Sequence, residues 1–285
     1  MTDVLCAGHA NWDVSLRVDR LPQPDDEARI TGRRQSGGGS AANAAAVLAQ
    51  LQVDTALLGS VGRDERGQVI RRELTDLDVE TGLLEAVTAE TTTKYLIVDR
   101  AGEVLVLGNE GANERFGVGS AVAETLESVE RLHLTSQRPD TALELARRAA
   151  ERDVSVSFDP GRRVADREYE PVLERTDLLF VTEREFESIG RESRPGQAVV
   201  VKRGERGAQL RDGGVETHSG FDVDVVDTAG AGDAFAGGFL AARRHRSAAD
   251  ALAVANACGA LAVQSLGART RLSWDDIDAL PADST

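Results

Sequence analysis

The sequence predicts an α/β protein in three layers, with helices on both faces of a mainly parallel sheet and a small β-sheet lid beside it. Three observations carry this prediction. Short runs rich in Val, Leu and Ile alternate with Ala- and Leu-rich helical runs along most of the chain, the pattern of a parallel sheet with crossover helices. Two segments, about 11–37 and 92–113, break that rhythm and alternate apolar with polar residues, which marks antiparallel strands with one wet face. The 285 residues, 41% of them hydrophobic, suit one large domain spanning 1–285 with the lid inserted in it.

Taken in order, "DVLCAG" (3–8) reads as a first buried strand and "SAANAAAVLAQLQ" (40–52) as an alanine-rich helix. "DTALLGSVG" (54–62) is a strand closing on a glycine turn. "DERGQVIRRELTDL" (64–77) is a helix that Asp64 can cap. Beyond residue 131 come strand "RLHLT", a helix over 139–152, strand "VSVSF", a short helix near 168–175 and strand "LLFV". "AVVVKRG" (198–204) is a further buried strand, and helices over 232–244 and 248–265 fill the last third. The lid segments carry "DVSLRVDRL", "EARITGRRQ" and "TTKYLIVDRAGEVLVLGNEG", the last with "DRAGE" as a hairpin turn. Neither brings a helix, so the two are expected to pair with each other over a cleft.

Composition narrows the function. A net charge of −15 argues against a nucleic-acid partner held on a broad basic face. No apolar run approaches the roughly 18–20 residues that span a bilayer. The start, "MTDVLCAGHANWD", has no basic region, so the sequence predicts a cytoplasmic protein without a membrane partner. Only Lys94 and Lys202 are lysine; every other basic side chain of this kind is arginine. Many acids, almost no lysine and abundant Ala, Val and Gly resemble proteins of salt-loving archaea. Cys6 and Cys258 sit in apolar surroundings and read as buried free thiols. His133, His218 and His245 share no metal-ligand spacing, while His9, after the first strand, reads equally as a residue that reaches a ligand and as a satisfied buried or rim histidine.

Three short stretches bear chemistry. "VVDTAGAGDAF" (225–235) sets Gly230, Ala231 and Gly232 before Asp233 and an apolar helix. Their N–H groups at a helix start form an anion site. A carboxylate beside such a cradle repels phosphate, and makes sense as the base that takes a proton from an attacking hydroxyl. A glycine corner with a capping Asp is the other reading of the same spacing. "SGGGSAANAAA" (36–46) leads from the lid into a helix, with Asn43 facing the space its glycines open. "GHANWD" (8–13) puts Asn11 and Asp13 at the carboxyl edge of the sheet, where open α/β folds bind ligands. A hinge and a turn are the plain alternatives.

Together these stretches resemble the ribokinase-like (PfkB) family of carbohydrate kinases. "DTAGAGDAF" is similar to its C-terminal signature, "GGGSAANAA" to its glycine signature and "GHANWD" to its sugar-binding segment. "GEVLVLGNEGAN", "SFDPGRR", "VVKRGERGA", "AVANACGALAV" and "SLGA" follow in the family's order, so the resemblance covers nearly the whole chain. It implies a ribokinase-like fold and ATP-dependent phosphorylation of a small sugar, with Mg2+ and, in some members, K+. Alternatives on the same fold are a nucleoside kinase, a sugar-phosphate kinase and a non-catalytic sensor. Carried over, Asp233 is the base and Gly230, Ala231 and Gly232 the anion hole. Asn11, Asp13, Gly38, Gly39 and Asn43 hold substrate hydroxyls. Lys202, Gly204, Gly207, Asn256, Gly267 and Ala268 border the nucleotide. Asp227 and the Ala229 carbonyl match a monovalent-cation position, and Glu185 a water-mediated magnesium position. In "VTEREF", Thr182 replaces the family's Asn. A sugar phosphate would need further cations, for which Arg33, Arg34, Arg162 and Arg163 are the candidates; the same arginines could instead pair with a keto-acid carboxylate. A homodimer through the lid is common in the family this chain resembles, and the sequence leaves the oligomeric state open.

Overall fold

The structure, a computed structural model, describes residues 2–190 and 194–280. The first half runs β1 (Val4–Ala7), β2 (Asn11–Val18), β3 (Ile30–Gly38), α1 (Ser40–Gln50), β4 (Thr55–Gly62), α2 (Glu65–Thr75), β5 (Leu84–Val87), β6 (Thr93–Val98), β7 (Val104–Gly108) and α3 (Ser120–Leu126). Then come β8 (Arg131–Thr135), α4 (Pro139–Ala150), β9 (Ser155–Asp159), α5 (Glu170–Leu173), β10 (Leu178–Thr182), α6 (Glu183–Ile189) and β11 (Ala198–Lys202). The chain closes with β12 (Ala208–Arg211), β13 (Val215–His218), α7 (Ala231–Arg243), α8 (Ala248–Val263) and α9 (Trp274–Asp278).

Nine strands form one sheet in the order β13-β12-β11-β10-β9-β8-β1-β4-β5. Pairing is parallel from β11 to β5, and antiparallel from β11 to β12 and from β12 to β13. The strand period of two divides each strand between the faces. Val4 and Cys6 of β1, and Leu178 and Phe180 of β10, pack under α1, α7 and α8. Leu5 and Ala7, with Leu179 and Val181, pack on the other side with α3 and α4. Phe180 anchors the first layer through edge-on contacts with His133, Phe235 and Phe239. Cys6 and Cys258 are buried free thiols, as expected.

The segments 11–37 and 92–113 do pair, into a separate four-stranded sheet ordered β3-β2-β6-β7. β2 pairs antiparallel with β3 and parallel with β6, and β6 pairs antiparallel with β7. The register sets Ser36, Asp13, Lys94 and Gly108 side by side across the sheet, on one face. The opposite face carries Tyr95 and Leu107, 41% and 52% exposed. Among the described residues no helix is long and apolar enough to cross a membrane.

Candidate active site

The carboxyl ends of the parallel strands and the start of β2 meet the first turn of α7. Gly230 is the N-cap of α7 in the left-handed region, φ 77°, and no side chain caps this terminus. A Cβ at Gly230 would run into the backbone of Ala268, so only glycine lets the two loops close on each other. The Ala231 N–H makes a long 3.4 Å bond to the Thr228 carbonyl. Asp233 lies in the first helical turn, as the motif predicts. Burial raises the Asp233 carboxyl above its ordinary range. A hydrogen bond from Asn43 opposes this, Asp159 adds to it, and Lys202 and Lys94 work against it.

Lys202, at the end of β11, lies above that helix start: its Nζ is 3.5 Å from where a Cβ on Gly232 would be. It pairs with Asp159 at 2.5 Å, both side chains nearly buried. Burial works to lower the ammonium's pKa, but Asp159, Glu185 and Asp233 together hold it above its usual value, so it stays charged. Glu185 is 8% exposed and closes a capping box with Thr182. The Thr182 N–H donates to Glu185 Oε2 at 2.7 Å, and the Glu185 N–H to Thr182 Oγ1 at 3.3 Å. Thr182 thus has a helix-capping duty of its own. Glu183 pairs instead with Arg206 on the surface.

The other predicted residues gather beyond Asp233. Asn43 Nδ2 donates to Asp233 Oδ2 at 2.8 Å. Asn11 is fully buried and its Nδ2 donates to Asp13 Oδ1. Gly38 admits Asp13, because a Cβ there would overlap that carboxylate. Gly39 caps α1. Burial pushes the Asp13 carboxyl up to about 6; Lys94 and Arg269 pull it down and Asp233 pushes it further up. The side-chain oxygens of Asn11, Asn113 and Gln137 are buried without a partner. Unmatched acceptors of this kind suit a ligand rich in hydroxyl donors.

Gly204 and Gly207 form the turn after β11, both at positive φ. Gly267 and Ala268 follow α8; Ala268 abuts Gly230, while Gly267 lies against the Arg34 side chain. Asn256 is not joined to this cluster by a hydrogen bond; its Nδ2 donates to Leu252 of its own helix. Asp227 is 2% exposed and accepts from the Ala229 and Gly267 N–H groups, each at 2.9 Å, clasping the two loops. Among the described residues no three His, Cys, Asp or Glu side chains converge as a metal cage. The donor set, Glu185 beside the Lys202–Asp159 pair, suits a magnesium ion that arrives on nucleotide phosphates with most of its waters.

Several site residues escape sequence reasoning. Lys94 is half-buried and, among the described residues, its ammonium has no hydrogen-bond or ion-pair partner, yet His9, Asp13 and Asp233 all feel its charge. Glu114, in the left-handed region at φ 64°, receives His9 at 2.7 Å and Arg167 at 2.8 Å. Burial works to raise its carboxyl, but those two partners win and hold it at about 2. Arg269 packs behind Asn43. Arg33, Arg34, Arg162 and Arg163 are exposed.

Comparison with known proteins agrees with this geometry. Residues 1–275 match the family described as pfkB family carbohydrate kinase. The chain is 49% identical to an ATP-dependent ribose-1-phosphate kinase of Halopiger xanaduensis, over 98% of each chain. It is 27% identical to a nucleoside kinase of Methanocaldococcus jannaschii, over 97% of this chain and 96% of that one. A crystal structure of the M. jannaschii nucleoside kinase matches with a TM-score of 0.83 and 25% identity, covering 98% of this chain and 97% of that one. A ribokinase from Giardia lamblia shares the fold with a TM-score of 0.86 at 21% identity, covering 98% of this chain and 99% of that one. The chain belongs to the pfkB family of carbohydrate kinases and is a phosphotransferase acting on a hydroxyl group.

Proposed function

We propose that the protein transfers the γ-phosphoryl group of ATP to a hydroxyl of a small sugar phosphate of the ribose-1-phosphate class. The observation that carries the chemistry is Asp233 in the first turn of α7, beside an uncapped helix start and Lys202. In this reading Asp233 takes the hydroxyl proton as that oxygen attacks phosphorus, and the bond to the β–γ bridging oxygen breaks to release ADP. Gly230, Ala231, Gly232 and Lys202 stabilise the charge gathering on the transferring group. Gly204, Gly207, Gly267, Ala268 and Asn256 border the nucleotide. Magnesium, when bound with the nucleotide near Glu185, screens the phosphate charges. Asn11, Asp13, Gly38, Gly39 and Asn43 hold the acceptor, and the four-stranded sheet closes over it to exclude water.

The choice of acceptor rests on the relative at 49% identity and on Lys94. An ammonium with no protein partner, half-buried beside Asp13, suits an anionic substituent. An uncharged nucleoside would leave it unpaired. We also propose that the apolar face bearing Tyr95 and Leu107 pairs with a second copy, and that potassium, acting near Asp227 and Ala229, supports activity.

A coupled assay of ADP release over ribose, ribose-1-phosphate and nucleosides tests the reading. Ribose-1-phosphate is expected to be preferred by about 10²-fold or more in kcat/KM, because its phosphate reads a cation the others leave unmatched. Higher turnover of ribose or of a nucleoside would overturn the substrate assignment. No turnover with any acceptor would leave only a sensor. Asp233→Asn is expected to lose about 10²- to 10⁴-fold in kcat with ATP binding retained.

A further inference from the structure

Arg269 follows Ala268 in the loop after α8, and only 8% of its side chain is exposed. A buried guanidinium must find acceptors for its rigid fork of donors. Arg269 finds three. Its Nε donates to Asn43 Oδ1 at 3.2 Å, its Nη1 to Glu73 Oε2 at 3.0 Å and its Nη2 to the Gly38 carbonyl at 3.2 Å. Glu73 Oε2 also accepts from the Gly37 N–H at 3.0 Å. One side chain therefore joins the loop bearing Gly267 and Ala268 to α1, to α2 and to the end of β3.

The bond to Asn43 has a specific consequence. The two ends of an amide are chemically unlike. With Arg269 donating to its oxygen, the Asn43 amide can only present its NH2 to Asp233, which it reaches at 2.8 Å. If the amide turned over, its oxygen would face a carboxylate. We propose that Arg269 is a positioning residue for phosphoryl transfer: through Asn43 it fixes the orientation of the Asp233 carboxylate, and through Gly38 and Glu73 it holds the glycine run at the same point. The proposal rests on Asp233 being the base.

Arg269 also belongs to the charge balance there. The groups that face Asp233 are Asp13 on β2, Lys94 on β6, Asp159 on β9, Lys202 on β11 and Arg269 itself. Removing Arg269 takes a buried positive charge from beside two carboxylates that already hold their protons tightly.

The test uses the full chain with ATP and the acceptor that the wild type turns over, comparing Arg269→Gln, Arg269→Lys and Asn43→Ala. Arg269→Gln is expected to lose about 10²-fold in kcat, the scale of a misplaced reacting group, with the KM for ATP little changed. The acid limb of its pH profile should move to higher pH, since the base becomes harder to ionise. Arg269→Lys keeps the charge but not the three-way fork, so kcat should fall while the acid limb stays in place. If Arg269→Gln does not unfold cooperatively, Arg269→Lys carries the test. The double variant of Arg269→Gln and Asn43→Ala should lose less than the product of the two single losses, because part of the effect of Arg269 passes through Asn43. A folded Arg269 variant with wild-type kcat, or two losses that multiply, overturns the inference. If Asp233→Asn keeps turnover, the assignment of the base itself is wrong.

Discussion

Asp13 is a carboxylate held where ionisation is unfavourable, in a buried space shared with Asp233. Its carboxyl rises to about 6, against roughly 3.9 in an unfolded chain. The folded protein holds this proton more tightly than the unfolded one. The group therefore supports the fold below about pH 4, and that support is lost as the pH rises through about 6. Asp13→Asn, neutral at every pH, should unfold at a higher temperature than the wild type at pH 8 and at no higher temperature at pH 4. It should also bind acceptor more weakly. Thermal unfolding at the two pH values, with an acceptor titration, checks both. Asp13 itself was legible in the sequence, as were Asn11, Asn43 and Asp233, because each sits in a short run that glycines or strand ends bring to one edge. Lys94 and Arg269 were not. Lys94 lies inside an ordinary alternating strand, and its meaning comes only from the register that sets it beside Asp13. Arg269 meets Glu73 and Asn43 across 196 and 226 positions of sequence, a distance no local pattern encodes.

Helix α6 shows how an element can limit a residue's duties. Its N-cap Thr182 and third residue Glu185 satisfy each other's backbone N–H groups. Thr182→Ala should cost about 1 kcal/mol, the ordinary value of a lost cap, whereas Thr182→Asn should change stability by only a few tenths. Denaturant unfolding measures both, and equal losses would show that the cap contributes nothing. At this scale the sequence pattern succeeded where periodicity is strong. The parallel strands β1, β4, β8, β9, β10 and β11 and the helices α1, α2, α4, α7 and α8 fall within a few residues of their expected bounds, while the short edge strand β5 was not expected. It missed β12 and β13, two four-residue strands of which β12 buries only Ala208 and Leu210 and β13 is largely exposed, and whose pairing depends on the neighbouring edge of β11. It found both segments of the small sheet but not that β2 and β6 run parallel, since strand direction is set by the core between them.

For the molecule as a whole, a net charge of −15 means that folding gathers like charges together. Salt screens that repulsion over a Debye length of about 10 Å at 0.1 M and about 3 Å at 1 M. The unfolding temperature should therefore rise between 0.1 M and 2 M KCl, and scanning calorimetry at the two concentrations checks it; a flat or falling response would show that the acid-rich surface does not limit stability. The basic residues divide by kind. Arginine supplies every guanidinium on the surface, while the chain's two lysines both lie within electrostatic reach of Asp233, Lys202 over the start of α7 and Lys94 across from Asp13. The side-chain amines of this protein thus belong to one small region. Reagents that acylate lysine, which decorate most proteins at random, have only these two positions to choose from, so a fluorophore or resin attached at a lysine would report on, or obstruct, the cleft itself.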